Sequence, residues 1–580
     1  AMDSVAAVKI VQKIRQAFQV LAILQITSYL WPQQAILKDG ATFDFIVVGA
    51  GSAGSVIAAR LAEDRKTRVL LIEAGGDAPL ETTVPSLMIY LGKSYLDWKY
   101  TTEDDGHTQR CTRNHVVDLM LGKMLGGTSS LNFLLYSEGH YRDYDHWAKI
   151  VDDETWNWKG VRPFFKKAFK LEQTMNSTNN FYNKGKVGLT KDVRSDLDST
   201  YLNGFREVGY KLVQFINENN TVGYTRSINT IADGVRQSAA YAYLRPIKDY
   251  PNLYVTKNTV AKSILFDNNK NAVGVEAVLE NGRTVKYKSL KEVIVSAGAI
   301  NSPKLLMLSG IGPKYHLERK NIKVISDLPV GQNYQDHVGT IVIHNMTKLK
   351  GSTKTRDSRE YPAHVVTGYV NLDKTKDFPT YSTVNYVNYA SYLIQFCTVT
   401  YGICGKICDA MFANPNTNQM IFTVVTNLRP KSRGEVLLRS SDYTDAPIVN
   451  TGYYSKKEDL ENQIKFIEDF VRVTNTTSFK NAGGKLVNPK LSCCLKYEFG
   501  STDYWRCYAK CVTMARRHYA GTNAMGSVVD SELRVKGVKK LRVADASIMP
   551  IITSGDTNGP TIMIGEKAAD IIKKDYRMGS

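Results

Sequence analysis

Phe43-Asp44-Phe45-Ile46-Val47-Val48-Gly49-Ala50-Gly51-Ser52-Ala53-Gly54 is the stretch from which the fold can be read. Its first six residues form a short, mostly apolar run that reads as a β-strand. Ser55 to Leu61 reads as the helix that follows. Arg68-Val69-Leu70-Leu71-Ile72 reads as a second strand, ending at Glu73. Strand, glycine turn, helix, strand and acid at this spacing make up a dinucleotide-binding fingerprint. One glycine makes the turn, one lets the backbone approach a pyrophosphate, and one lets helix and strand pack closely. The free N–H groups at the helix N-terminus then face the phosphates. A carboxylate at position 73 suits a ribose 2′-hydroxyl and resists a 2′-phosphate. The pattern leaves NAD and FAD both open.

The rest of the chain sets the context of this unit. At 580 residues it is long enough for two or more domains, and with 43% apolar and 23% charged residues it reads as globular. The net charge is +19, but the basic residues are scattered in short groups such as Lys166-Lys167. No stripe or recognised nucleic-acid module gathers them, so a solvated basic surface is the reading and a nucleic-acid partner is not expected. Val5 to Leu30 is apolar but broken by Lys9, Lys13 and Arg15, which excludes an ordinary membrane span. It reads as a helix lying on the body of the protein, with an interfacial anchor as the alternative. Seven of the eight cysteines fall between 340 and 515, as do two of the four glycosylation sequons, Asn345 and Asn475. The others are Asn176 and Asn219. Disulfide bridges in that region and a secreted, extracellular protein are expected. The cysteines lack a matching histidine cluster, so no metal site is expected.

The nucleotide unit does not stay in one piece. Lys291 to Val295 is a further strand, running into Ser296-Ala297-Gly298. Leu253 to Thr256 and Ala272 to Val278 read as strands, as does Leu541 to Val543, and Gly559 to Ile572 carries a long helix. Between about 340 and 515 the texture changes to alternating runs such as Ala363 to Val370, Gln419 to Val425 and Glu435 to Leu438. These suggest an antiparallel sheet with one covered face. The expected fold class is α/β: a discontinuous Rossmann-like cofactor domain with an α+β substrate domain built on an antiparallel sheet. The expected division is a helical extension over 1–40 and a cofactor domain over 41–340, with inserted substrate segments near 155–235. The main substrate domain covers 341–514, and 515–580 returns to the cofactor domain.

Several long motifs resemble the glucose–methanol–choline (GMC) flavoprotein family in its insect form, over essentially 40–575. Gly122-Lys123-Met124-Leu125-Gly126-Gly127-Thr128-Ser129-Ser130-Leu131-Asn132 is similar to one family signature. Gly298-Ala299-Ile300-Asn301-Ser302-Pro303 through Gly312 is similar to the other. Arg236 to Leu244 and Gly331-Gln332-Asn333-Tyr334-Gln335-Asp336-His337 resemble further blocks. The resemblance implies FAD and the oxidation of an alcohol. It places cofactor contacts at Gly49, Gly51, Ser52, Ala53, Gly54, Glu73, Ala74, Gly122, Leu125, Gly127, Thr128, Ser129, Asn132, Val260, Ala297, Asp545, Ala546 and Thr557. In some relatives a histidine just before the asparagine joins the flavin covalently. Here that residue is Leu131, which has no nucleophile, so non-covalent FAD is expected. The family usually has Arg where this chain has Glu138.

His518-Tyr519-Ala520-Gly521-Thr522-Asn523 resembles the catalytic block, which makes His518 the base that takes the hydroxyl proton. The second catalytic position departs from the family. Counting back from Gly565, Asp556 stands where relatives have Asn or His, and Asn558 follows two residues later. Ionised Asp cannot donate a hydrogen bond to the substrate oxygen. Three arrangements follow: Asp556 is protonated, it orients His518, or it points elsewhere while Asn558 takes its place. Tyr381, Tyr386, Tyr389, Tyr392, Phe396, Met411 and Phe412 line either a pocket or a core. This apolar texture and the insect pattern favour a steroid alcohol such as ecdysone, oxidised to 3-dehydroecdysone with oxygen as acceptor. A glucose dehydrogenase-like activity with a quinone acceptor is the alternative. A catalytically weak flavin-containing binding protein is the reading from a different class.

Overall fold

A computed structural model describes residues 2–172, 184–192, 198–216, 221–350, 357–413 and 418–579. Two sheets organise the molecule. In the first, Thr42–Val48 pairs parallel with Val69–Ile72 on one side and with Thr284–Val295 on the other. Leu253–Thr256 extends the parallel order beyond Val69–Ile72, and Leu541–Val543 adds to the far side of Thr284–Val295. The strands are nearly all apolar because helices cover both faces. The early part of Thr284–Val295 instead pairs antiparallel with Ala272–Val278, which pairs with Val260–Phe266. Here residues alternate buried and exposed, as expected where one face meets water.

The second sheet is antiparallel at its centre, in the order Val338–Lys350, Asn418–Asn427, Tyr381–Tyr389 and His364–Val370. Gly223–Arg226 adds at one edge, and Thr513–Ala515 pairs with the start of Val338–Lys350. The helix Lys457–Val471 covers this sheet. Its Leu460, Ile464, Ile467 and Phe470 recur at three- and four-residue spacing and are buried. Each such side chain contributes about 1.5–3 kcal/mol on burial.

The expected two-sheet architecture is present, but the division of the chain differs from the sequence reading. The 340/341 boundary falls inside Val338–Lys350, and 514/515 falls inside Thr513–Ala515. Both strands belong to the second sheet, which therefore begins before 341 and ends after 514. The insert near 155–235 is not uniform either. Gly223–Arg226 joins the second sheet, but the helix Trp158–Ala168 packs on the C-terminal helix Asn558–Asp575, within the core of the first.

The N-terminal helix Ser4–Ile23 lies on the body of the protein. Ser4 N and Oγ donate to Asp409 at 2.7 and 2.8 Å, and Arg15 donates to the Tyr90 and Gly92 carbonyls. The chain then runs along the edge of the first sheet, where Ala35 N donates to Val255 O at 2.8 Å. Among the described residues no helix is long and apolar enough to cross a membrane. Disulfides join Cys397 to Cys408, Cys494 to Cys507, and, across the fold, Cys111 to Cys511; Cys404 and Cys493 are free thiols. Asn345 is buried in mid-strand opposite Met420 and Lys485, which closes that sequon to a glycan, whereas Asn475 is exposed. Asn176 and Asn219 lie outside the described residues.

Candidate active site

The carboxyl ends of the parallel strands open onto one cleft, as an open α/β sheet directs. The glycine turn is built for close approach. Gly49 has φ +98°, and a Cβ there would sit 2.5 Å from the Ser296 carbonyl oxygen. A Cβ on Gly54 would lie 1.8 Å from Gly49 O, so only glycine lets the helix Gly54–Leu61 pack on the strand. Gly51 differs: it lines the cleft and a Cβ there meets nothing within 4 Å, so its bare backbone is offered to a ligand. The buried Arg60 holds the helix by a paired contact to Glu566 at 2.8 and 2.7 Å, which the Tyr243 hydroxyl joins at 2.6 Å. This buried, fully hydrogen-bonded group locks the nucleotide helix to the C-terminal helix.

Glu73 ends the second strand and lines the cleft. Its carboxylate accepts from Ala50 N and Gly75 N, both at 2.9 Å. Burial pushes this carboxyl up to about 7, despite the hydrogen bonds it accepts. Ser52, Ala53, Ala74, Gly122, Gly127, Thr128, Asn132, Val260, Ala297, Asp545, Ala546 and Thr557 also line the cleft. Leu125, Ser129 and Gly54 do not. Leu125 is buried in the core, and the Ser129 hydroxyl bridges Gly126 O and Ala239 N within the protein. Asn132 Oδ1 accepts from Arg236 Nη1 at 2.9 Å and Leu134 N at 3.1 Å, leaving its amide nitrogen to the cleft. Asp545 is committed to Gly298 N and the Ser302 hydroxyl at 2.9 and 2.5 Å.

The glycine turn, the helix N-terminus, the buried acid and the open face at Gly51 fit a dinucleotide. Leu131, at the place where some relatives carry the linking histidine, is fully buried. Glu138, where relatives have Arg, is buried with the Tyr136 hydroxyl 3.5 Å from its carboxylate.

At the far end of the cleft stands His518, placed by the short strand Thr513–Ala515. Its Nε2 meets Asp556 Oδ1 at 2.9 Å and its Nδ1 meets His337 Nδ1 at 2.8 Å. Its backbone N–H donates to Asp336 at 2.7 Å, and the other Asp336 oxygen accepts from the Tyr453 hydroxyl. Burial, then the neighbouring His518, hold His337 well below its ordinary pKa, so it is neutral. Its Nε2 is buried without a partner. The ionised Asp556 can only accept, so His518 Nε2 carries a proton toward it, and a single proton lies between the two Nδ1 atoms. Burial opposes ionisation of Asp556, but His518, then Arg516 and His337, hold it below the usual carboxylate range.

Of the three arrangements left open for Asp556, the geometry selects the second. Asp556 is ionised and faces His518. Asn558 does not replace it: its Oδ1 accepts from the Ser52 hydroxyl at 2.8 Å, at the glycine turn. Trp98, Met120, Leu121, Phe133, Tyr386 and Tyr401 wall the cleft. Of the aromatic and methionine side chains suggested by sequence only Tyr386 lies there. Tyr381 stacks on Phe466, and Phe396, Met411 and Phe412 belong to the core. Sequence reasoning missed Arg516, His337 and Arg236 as site groups. His337 and Arg236 stood inside quoted motifs, and Arg516 lies two residues before His518.

This fold and cleft define an FAD-dependent oxidoreductase. The GMC oxidoreductase family models match residues 43–339 and 430–565. The chain is 37% identical to an ecdysone oxidase of Spodoptera littoralis, over 94% of each chain. It is 34% identical to a glucose dehydrogenase [FAD, quinone] of Drosophila melanogaster, over 92% of this chain and 87% of that one. A solved variant of Aspergillus oryzae formate oxidase superposes with a TM-score of 0.79 at 26% identity, over 93% of this chain and all of that one. The chain belongs to the GMC oxidoreductase family, whose reaction is the oxidation of an alcohol. When bound, FAD accepts the two electrons that leave the alcohol carbon.

Proposed function

We propose that this protein oxidises a hydroxyl of a steroid-like alcohol to a carbonyl, with non-covalent FAD and oxygen as acceptor. The observation that carries the reading is the cleft wall beside His518, built from Trp98, Met120, Leu121, Phe133, Tyr386 and Tyr401. A broad apolar wall with a few polar groups at one end suits a rigid hydrocarbon frame better than a sugar. The similarity to insect ecdysone oxidases over nearly the whole chain supports the same reading. Leu131 has no atom that can bond to the flavin, which supports a non-covalent cofactor.

In this reading the hydroxyl proton enters the His518–Asp556 pair rather than a bare imidazole, because both ring nitrogens of His518 are already hydrogen-bonded. Asp556 and His337 orient the ring from its two sides. The similarity to Drosophila glucose dehydrogenases, together with the polar Lys304 and Arg517 in the cleft, favours a polyol with a quinone acceptor as the second reading.

Anaerobic addition of ecdysone, glucose, choline and a fatty alcohol to the yellow holoenzyme separates these readings. Bleaching of the flavin band by ecdysone first, with hydrogen peroxide released in air, is the expected result. Bleaching by glucose alone, with reoxidation by quinones but not by air, refutes the steroid reading. His518→Ala should slow bleaching by at least about 10²-fold while FAD stays bound.

A further inference from the structure

Asp556 leaves the site short of a hydrogen-bond donor. Its carboxylate accepts from His518 and has no hydrogen to give to a substrate oxygen. An alkoxide forming beside it meets like charge. A guanidinium stands on the other side of the same carboxylate. Arg516 Nη2 lies 3.6 Å from Asp556 Oδ1, and Arg516 lines the same cleft as His518. Its side chain is only 6% exposed, and its Nε–H has no hydrogen-bond partner among the described residues. At 3.6 Å the contact to Asp556 is electrostatic rather than a hydrogen bond, so it does not consume a donor. The guanidinium also interacts with the Tyr386 hydroxyl, on the second sheet.

The other cations of the cleft are committed elsewhere. Arg517 donates to the Thr400 carbonyl and packs over the Tyr401 ring at 5.5 Å. Lys304 Nζ donates to Tyr443 O at 2.7 Å. Among the described cations that line the cleft, Arg516 and Arg517 each keep a buried Nε–H without a partner, and Arg516 is the one in electrostatic contact with Asp556.

We propose that Arg516 is a catalytic residue of this enzyme: its guanidinium donates to the substrate oxygen, the task a carboxylate at 556 cannot perform. Arg516 and Asp556 cancel in the resting site, and a base that takes the hydroxyl proton starts neutral. During the reaction the substrate O–H bond breaks and its proton passes to the His518–Asp556 pair. The carbon–hydrogen bond breaks with its electron pair leaving for FAD, and the carbonyl π bond forms. Arg516 stays protonated throughout. The reacting side chains then carry one net positive charge, set against the negative oxygen. The inference rests on alcohol oxidation by the family and not on a steroid substrate.

The test uses holoenzyme and two readouts: equilibrium binding of 2,2,2-trifluoroethanol, followed by perturbation of the flavin spectrum, and the anaerobic rate of flavin reduction by the fastest alcohol of the panel. The acidic alcohol probes the oxygen site without turnover. R516Q should bind it at least about 10-fold more weakly and be reduced about 10²-fold more slowly, the usual loss for one oxyanion donor. The double variant R516Q/D556N restores an amide donor and removes the uncompensated carboxylate, so it should regain about 10-fold or more in both. Wild-type binding and rate in R516Q overturn the proposal, as does a double variant that holds FAD yet is no better than R516Q. If R516Q loses its FAD, R516K decides. Lysine keeps the charge but not the fork geometry, so about 10-fold losses are expected, and unchanged values overturn the assignment.

Discussion

Replacing Asp556 by Asn tests how the carboxylate governs proton uptake. The substitution keeps an oxygen for the His518 Nε2 proton, 2.9 Å away in the native site, and removes only the charge. A unit charge about 4 Å away at an effective dielectric of about 20 is worth about 4 kcal/mol, or roughly three pH units. Arg516, 3.6 Å from the same oxygen, is present before and after the substitution, so its field cancels in the difference and that figure is an upper bound set by the carboxylate alone. The sign follows from the charge: Asp556 favours the proton on the pair, and without it the proton leaves at lower pH. His337 at the other ring nitrogen and Asp336 at the backbone are unchanged by the substitution. The limb on which flavin reduction rises with pH should therefore move toward acid. The rate near neutrality should hold or rise, since Asn adds a donor. The assay is anaerobic stopped-flow reduction of the bound flavin from about pH 5 to 9. A profile unchanged in position and height would place Asp556 outside the reacting set and refute the reasoning.

Three further outcomes are expected. Acid precipitation should release a yellow supernatant; a pellet that keeps its flavin would contradict non-covalent binding beside Leu131. Burial pushes His344 down to about 4 from 6.5, where it meets Thr474 across 2.8 Å. The unfolded chain then takes up that proton first. The stability from neutral His344 is complete above about pH 6.5 and is lost as pH falls toward 4, by about 3 kcal/mol in all. Urea unfolding should show His344→Gln losing less stability than wild type between about pH 7 and 5, and parallel losses would contradict this. Replacing Cys111 and Cys511 together by Ser should cost roughly 2–5 kcal/mol, read as an earlier urea midpoint, because the bridge closes a long loop across the fold. An unmoved midpoint would show that the unfolded chain is not held by it.

The nucleotide unit was legible because its determinants are local. Gly49, Gly51 and Gly54 meet backbone requirements within one turn, and Glu73 follows at the length of one helix and one strand. The aromatic residues of 340–515 were less legible. The strand Tyr381–Tyr389 is buried over most of its length. Alternation therefore could not separate Tyr386, in the cleft, from Tyr381, in the core. Sequon spacing likewise carries no burial, and Asn345 lies inside a sheet whose partners are distant in sequence.

By itself the sequence determined the α/β nucleotide unit, from residue type and short spacing, while its resemblance to the GMC family placed His518 and showed the loss of an amide at 556. Only the tertiary structure decided that Asp556 rather than Asn558 meets His518. It also decided that His337 closes the other side of the ring, and that Arg516 faces the same carboxylate. Those relations join segments 38 to 181 residues apart, brought together in part where Thr513–Ala515 pairs with Val338–Lys350. Short spacing carries no information about such contacts, because direction and depth arise only when distant elements pack.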